Sequence, residues 1–196
     1  MKNSSTSIVV LAAGNSSRLG LPKQLLQYKN KSFLRHIVEI ALEVRASEVI
    51  AVLGFESDRI RHECDDLPIR TVLNHDWPEG IASSIRAGIR AIHPQAEGAL
   101  ICLCDQPAIT TELLSTLVSM CSHEKPIAAT EYNQILGVPA CFDRSIFAEL
   151  LQLQGDIGAK RVIAQERIRV ASCVFPEAAA DIDTLEDYQN QRLSRE

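Results

Sequence analysis

Short runs of consecutive apolar residues alternate with stretches in which apolar residues recur every three or four positions. The continuous runs fall at 7–11, 49–53, 69–73, 99–104, 127–129, 138–142 and 168–173. They are aliphatic or β-branched at nearly every position, the pattern of strands buried on both faces. Between them, apolar positions at helical spacing run from Phe33 to Val44, through Ile81, Ile85, Ile89 and Ile92, and through Leu113, Leu114, Leu117 and Val118. A further helix is expected to start from an Asp143 N-cap, with Ile146, Phe147, Leu150 and Leu151 turned inward. This alternation predicts an α/β fold: a mostly parallel sheet covered by helices on both faces, in three layers. No repeat or linker interrupts the pattern, so residues 1–196 read as a single domain.

Composition narrows the classes of function. With 46% apolar and 23% charged residues among 196, the chain has the apolar surface to offset its ordering entropy and is not a disordered chain. Its 25 acidic and 20 basic residues give a net charge of −5. That surface lacks the excess of cations a nucleic-acid backbone demands, so no nucleic-acid partner is expected, although a small basic pocket remains compatible. The first seven residues are polar and the apolar run 8–13 is short, so neither an export signal nor a membrane span is expected. Six cysteines (64, 102, 104, 121, 141 and 173) are scattered without a C-x-x-C spacing. They fit neither a zinc site nor a disulfide framework and point to a reducing, cytoplasmic compartment. The five histidines show no ligand spacing, and no Ser-His-Asp or Cys-His arrangement is present.

In open sheets of this type ligands bind outside the carboxyl ends of the strands. The first such segment reads Leu11-Ala12-Ala13-Gly14-Asn15-Ser16-Ser17-Arg18-Leu19-Gly20-Leu21-Pro22-Lys23. Small residues let backbone N–H groups approach phosphate oxygens, and Arg18 and Lys23 supply charge. Five residues separate Gly14 from Gly20, so this is not a P-loop, and no G-x-G-x-x-G occurs. By composition alone it is equally a surface turn. After the third strand, Gly80, Ser83 and Ser84 open a helix whose first-turn N–H groups and hydroxyls face the strand ends. Asp105 stands at the tip of the fourth strand, where a carboxylate suits Mg²⁺, though an Asp before Pro107 also serves as a turn residue. Asp183 and Asp156 each have a local alternative as helix N-caps, Asp183 ahead of a final helix and Asp156 ahead of 157–165.

Taken together the strings resemble the molybdenum cofactor cytidylyltransferase family, MobA- and MocA-like nucleotidyltransferases acting on molybdopterin or a related phosphorylated acceptor. The resemblance covers residues 7 to about 190, with the motifs in the family's order. The first loop matches L-A-A-G-x-S-x-R-x-G-x-x-K, with Leu19 where Met is common. Its Leu-Ala-Ala-Gly form is that of the cytidylyl branch, whereas guanylyl-transferring relatives usually carry Leu-Ala-Gly-Gly. Asn74 to Ser84 resembles N-x-x-W-x-x-G-x-x-x-S, Asp105-Gln106-Pro107 resembles D-x-P, and Asp181 to Asp187 resembles D-I-D-T-P-x-D with Leu185 in place of proline. Gly137 to Phe142 and Gly155 to Lys160 are similar to G-x-P-x-x-F and G-D-x-G-A-R/K, with Val138 where many relatives have His or Asn.

The resemblance implies a Rossmann-like nucleotide-diphospho-sugar transferase fold. It implies nucleotide binding by Leu11, Ala12, Ala13, Gly14, Arg18, Lys23, Gly80, Ser83 and Ser84, with Ser84 the more favoured hydroxyl, and catalysis by Arg18, Lys23 and Asp105. It implies Mg²⁺ on Asp105 and Asp183, and an acceptor pocket bordered by Gly137, Pro139, Gly155, Asp156 and Gly158. The implied reaction joins CMP from CTP to the terminal phosphate of molybdopterin or molybdenum cofactor and releases pyrophosphate. A xanthine dehydrogenase-type molybdoenzyme or its maturation factor is the implied recipient. Three alternatives remain at this point: a sugar or polyol phosphate as acceptor, GTP as donor, or a non-catalytic molybdopterin carrier.

Overall fold

The computed structural model describes residues 5–16, 19–179 and Tyr188. β1 (Thr6–Ala12) is followed by a small hairpin, β2 (Gln27–Tyr28) and β3 (Lys31–Ser32), turned by Lys29 and Asn30 at φ 50° and 63°. The Ser32 side chain accepts the Arg35 N–H and caps α1 (Phe33–Glu43). β4 (Glu48–Leu53), the short α2 (Ser57–Arg61), β5 (Arg70–Leu73), α3 (Ile81–Ala91) and β6 (Gly98–Leu103) continue the alternation. Thr110 caps α4 (Thr111–Met120) in the same way. The chain then runs through β7 (Ile127–Tyr132), β8 (Ile135–Asp143), α5 (Phe147–Leu151), α6 (Lys160–Gln165) and β9 (Val170–Val174).

Among the described residues seven strands form one sheet in the order β5-β4-β1-β6-β8-β7-β9. β5, β4, β1 and β6 are parallel, β8 runs against both β6 and β7, and β7 pairs parallel with β9. The continuous apolar runs are explained by the two cores they feed. In β1, Ile8, Val10 and Ala12 face the layer of α1 and α4, while Val9 and Leu11 face the layer of α3, α5 and α6. In β4 and β6 the same alternation sends Ala51 and Cys102 to one side and Val52 and Ile101 to the other. The mostly parallel, three-layer α/β arrangement expected from the pattern is therefore present. Among the described residues no helix is long and apolar enough to cross a membrane.

Three local expectations differ from the structure. Ile168 is not in a strand but in a 3₁₀ turn (Arg167–Arg169), 91% exposed, and β9 begins two residues later. Asp143 does accept a local N–H, from Ser145, but it starts a 3₁₀ turn that leads into α5. Asp156 is not an N-cap: α6 starts at Lys160, with Ala159 in the cap position. The parallel strands β1, β5 and β6 end on one side of the sheet, and the segments that leave them form the site described below.

α3 packs closely on β1 at Gly88. A Cβ on Gly88 would overlap Val9 Cγ1 and lie 3.3 Å from Val52 Cγ2, both on stiff, fully buried valines. A glycine-to-alanine change in a helix normally stabilises by about 1 kcal/mol, whereas overpacking a core costs about 1–3 kcal/mol. Gly88→Ala is therefore expected to lower the urea midpoint, with a net loss of up to about 2 kcal/mol. Adding Val9→Ala should return part of that loss, and a Gly88→Ala midpoint at or above wild type would contradict this packing argument.

Candidate active site

The segments after β1, β5 and β6 meet around a cavity of about 380 Å³. Its first wall is the loop after β1, and that loop is built around two polar side chains. Gln24, 2% exposed, donates both amide hydrogens, to Ala12 O and Gly14 O at 2.8 Å each. Ser16 sits at φ 51° and its hydroxyl accepts the Lys23 N–H at 3.0 Å. These bonds engage the Ala12 and Gly14 carbonyls and hold the loop in place. A Cβ on Gly14 would meet nothing within 4 Å, so its backbone is open to close approach. Leu11, Ala12, Ala13, Gly14 and Lys23, the residues expected to bind nucleotide, all line the cavity. Arg18 lies outside the described residues, as does Asp183.

At the base of the cavity Lys23 Nζ donates to Asp105 Oδ2 at 3.0 Å. The side chains are only 15% and 19% exposed, so this ion pair is well shielded from solvent. Asp105 Oδ1 is buried and has no hydrogen-bond partner among the described residues. A carboxylate oxygen without a donor is an available hard ligand for a divalent cation. Among the described residues no three His, Cys, Asp or Glu side chains gather to hold a metal, so on this side Asp105 is the carboxylate at issue. Its neighbour Cys104 also lines the cavity, but burial pushes that thiol well above the ordinary range, which removes it as a nucleophile. The following residue, Gln106, is 2% exposed and donates to Val138 O at 3.3 Å and Ala178 O at 3.1 Å. His36 bonds Pro107 O through Nε2 at 3.1 Å, and burial holds its pKa below the ordinary value. The loop that carries Asp105 is thus fastened from three directions.

The second wall comes from the 3₁₀ turn Trp77–Glu79 and the start of α3. Trp77 lines the cavity and also packs over Gly54, where a Cβ would lie 2.7 Å from both Trp77 Cβ and Ala13 O. Gly80 is at φ 121°, and a Cβ there would collide with Asp156 Oδ1 and the Gly155 backbone. Only glycine fits both the torsion and the contact. Ser84 is on the cavity wall, whereas Ser83 is not: its hydroxyl donates back to Gly80 O at 2.8 Å.

Of the five residues expected at the acceptor pocket, Asp156 lines the cavity. Gly155 supports it from behind, donating its N–H to Glu79 Oε1 and accepting the Ala82 N–H, each at 3.1 Å. Arg86 completes this strut through both carboxylate oxygens of Glu79, at 2.8 and 2.5 Å, and through Leu153 O at 2.7 Å. The guanidinium holds the Glu79 carboxyl down at about 2, so the strut stays charged. A Cβ on Gly158 would lie 3.7 Å from Ile81 Cγ2, an ordinary van der Waals contact. Gly137 and Pro139 lie on β8, outside the cavity wall: a Cβ on Gly137 would lie 2.5 Å from the Tyr132 hydroxyl. Gln24, Gln106, Glu79 and Arg86 were not singled out from sequence. Their residue types are common on surfaces, and only their tertiary hydrogen bonds mark them.

The comparisons with known proteins agree with this geometry. Residues 8–170 match the MobA-like NTP transferase domain family. The nicotine blue oxidoreductase of Paenarthrobacter nicotinovorans is 30% identical over 190 residues, covering 91% of this chain and 92% of that one. The molybdenum cofactor cytidylyltransferase of Escherichia coli is 22% identical over 181 residues, covering 92% of each. Among solved structures, the manganese complex of Rv0371c from Mycobacterium tuberculosis superposes with a TM-score of 0.80 at 28% identity, covering 94% of this chain and 96% of that one. The names of the two enzyme relatives describe different reactions, so the residues of the cavity have to discriminate between them. The strand order, the first loop and the strand-tip carboxylate belong together: this chain is a member of the MobA-like NTP transferase family, a nucleotidyltransferase.

Proposed function

We propose that this nucleotidyltransferase moves CMP from CTP to the terminal phosphate of molybdopterin or molybdenum cofactor, releasing pyrophosphate. The observation that carries the reading is the shielded Lys23–Asp105 pair at the cavity base, with Asp105 Oδ1 left unpartnered. Transfer between two phosphates uses both a cation and a metal-binding oxygen, and this pair supplies one of each. The resemblance to cytidylyl enzymes in Leu11-Ala12-Ala13-Gly14 supports CTP as donor, and the E. coli relative's name supports the cofactor as acceptor.

The acceptor phosphate is itself an anionic nucleophile, so no general base is needed, and repulsion between donor and acceptor is the main obstacle. Lys23 and, from sequence, Arg18 would hold the triphosphate, with the open backbone at Gly14 turned to its oxygens. Gly80 and the cavity-wall hydroxyl of Ser84 would hold the nucleobase side, with Ser83 fixing the turn beneath them. Gly155, Asp156 and Gly158 would border the acceptor, with Gly137 and Pro139 at the outer edge. A magnesium ion on Asp105, with Asp183 as the second ligand expected from sequence, would offset the negative charge between the reacting phosphates. Catalysis then consists of positioning and charge neutralisation. We place the reaction in the cytoplasm, with a xanthine dehydrogenase-type molybdoenzyme or its maturation factor as recipient.

Three outcomes are expected. Asp105→Ala should reduce magnesium-dependent pyrophosphate release by at least about 100-fold with an unchanged circular dichroism spectrum; wild-type turnover in that variant would remove the metal assignment. Lys23→Ala should weaken triphosphate binding more than acceptor binding, as read by separate titrations of each, and an equal loss of both would point to a folding defect. In a thermal-shift series with magnesium and CTP, GTP, ATP or UTP, CTP should raise the melting point most, because a ligand at 100 times its Kd stabilises by about 2.7 kcal/mol. A larger shift with GTP would transfer the assignment to guanylyl transfer.

A further inference from the structure

Asn74 follows β5, is 4% exposed, and organises the start of α3 by hydrogen bonding alone. Its Oδ1 accepts the Asp76 N–H at 3.0 Å. That bond fixes which end of the amide is oxygen, since a backbone N–H cannot face an NH₂ group. Nδ2 is therefore the donor in its two other bonds, to Ser83 Oγ at 2.8 Å and Ser84 Oγ at 3.1 Å. Ser83 passes its own proton to Gly80 O at 2.8 Å, and the same carbonyl accepts the Ser83 N–H at 3.2 Å. Both lone pairs of that carbonyl are then engaged. Ser84, 6% exposed and on the cavity wall, receives a hydrogen bond from Asn74 and has no acceptor for its proton among the described residues.

We propose that Asn74 is a positioning residue that sets the Ser84 hydroxyl as a hydrogen-bond donor to the bound nucleobase. The site then favours a ligand with a bare lone pair at that point, a carbonyl oxygen or an unprotonated ring nitrogen, and disfavours an amine. A ligand amine could meet only the second lone pair of the Ser84 oxygen and would leave the buried hydroxyl proton unpaired. The inference rests on the nucleotide reading given above and adds to it the polarity of one contact and the residue that imposes it.

Asn74→Asp tests it with almost no change of shape. A carboxylate only accepts, so Ser84 must turn its proton toward residue 74 and away from the cavity. Calorimetric titration of the folded protein with magnesium and CTP should show affinity reduced about tenfold or more, while inorganic tripolyphosphate, which lacks a base, binds as to wild type. Ser84→Ala should give a loss of the same size, and the double variant no more than either single one. If Asn74→Asp does not fold, Ser84→Ala carries the same comparison between CTP and tripolyphosphate. CTP affinity unchanged in these variants, or equal losses for CTP and tripolyphosphate, would overturn the relay and leave the nucleotide reading standing. A wild-type protein that binds no nucleoside triphosphate better than tripolyphosphate would overturn the nucleotide reading and this inference with it.

Discussion

Lys23 and Asp105 come from segments 82 residues apart and meet at 3.0 Å where β1 and β6 end. Two charges in a shielded site are costly unless they are paired, and removing either would leave the other exposed to the full desolvation penalty. Their pairing offsets the two charges at the cavity base and ties the first loop to the strand tip. In the proposed reaction, a polyanion with its counter-cation would replace each partner in kind: phosphate for the carboxylate, metal for the ammonium. The parallel register of β1 with β6 is what brings these two loops to the same height. The rest of the site is arranged around this point.

What holds that arrangement is a set of uncharged or internally neutral struts reaching from side chain to backbone. Gln24 spans two carbonyls of the first loop, Gln106 ties the Asp105 loop to β8 and to Ala178, and Arg86 with Glu79 fastens the loop that presents Asp156. None of these need touch a substrate. Positioning catalysis demands that loops keep their geometry to within a fraction of an ångström, and loops have no ladder of their own to do this. Buried amides are well suited to the task, because each satisfies backbone groups that the irregular chain would otherwise leave without partners.

The layers and the order of elements were legible because β1, β4 and β6 feed two cores at once, which leaves an unbroken apolar run in the sequence. The short hairpin of β2 and β3 was not, since Gln27, Lys29, Asn30 and Lys31 look like any polar loop until their torsions are known. β7 and β8 each reach further toward their turn than the apolar runs suggested, because Glu131, Asn133 and Gln134 carry the hairpin on polar side chains. In the cavity, Lys23, Gly80, Ser84, Asp105 and Asp156 are together as their strings implied. The resemblance favours Ser84 over Ser83, and the tertiary reason for their difference, that Gly80 O engages the Ser83 hydroxyl, is visible only in the structure. Nor could local chemistry show that Asp156, so plausible as a cap, is held by tertiary bonds to Gly155 four residues before α6 begins.

The reversed direction of β8 has a consequence for how such a molecule diversifies. Strands that run parallel must be joined by crossovers a dozen or more residues long, so changing one disturbs an entire layer. β8 instead returns from β7 through a two-residue bend at Asn133 and Gln134, and its leading end enters the sheet beside the trailing end of β6. Insertions at that bend can lengthen or reshape the rim on one side while β1, its loop and α3 stay where they are. The loops that gather at the cavity are thereby insulated from the bend, and one scaffold can keep them unchanged while its rim takes new shapes.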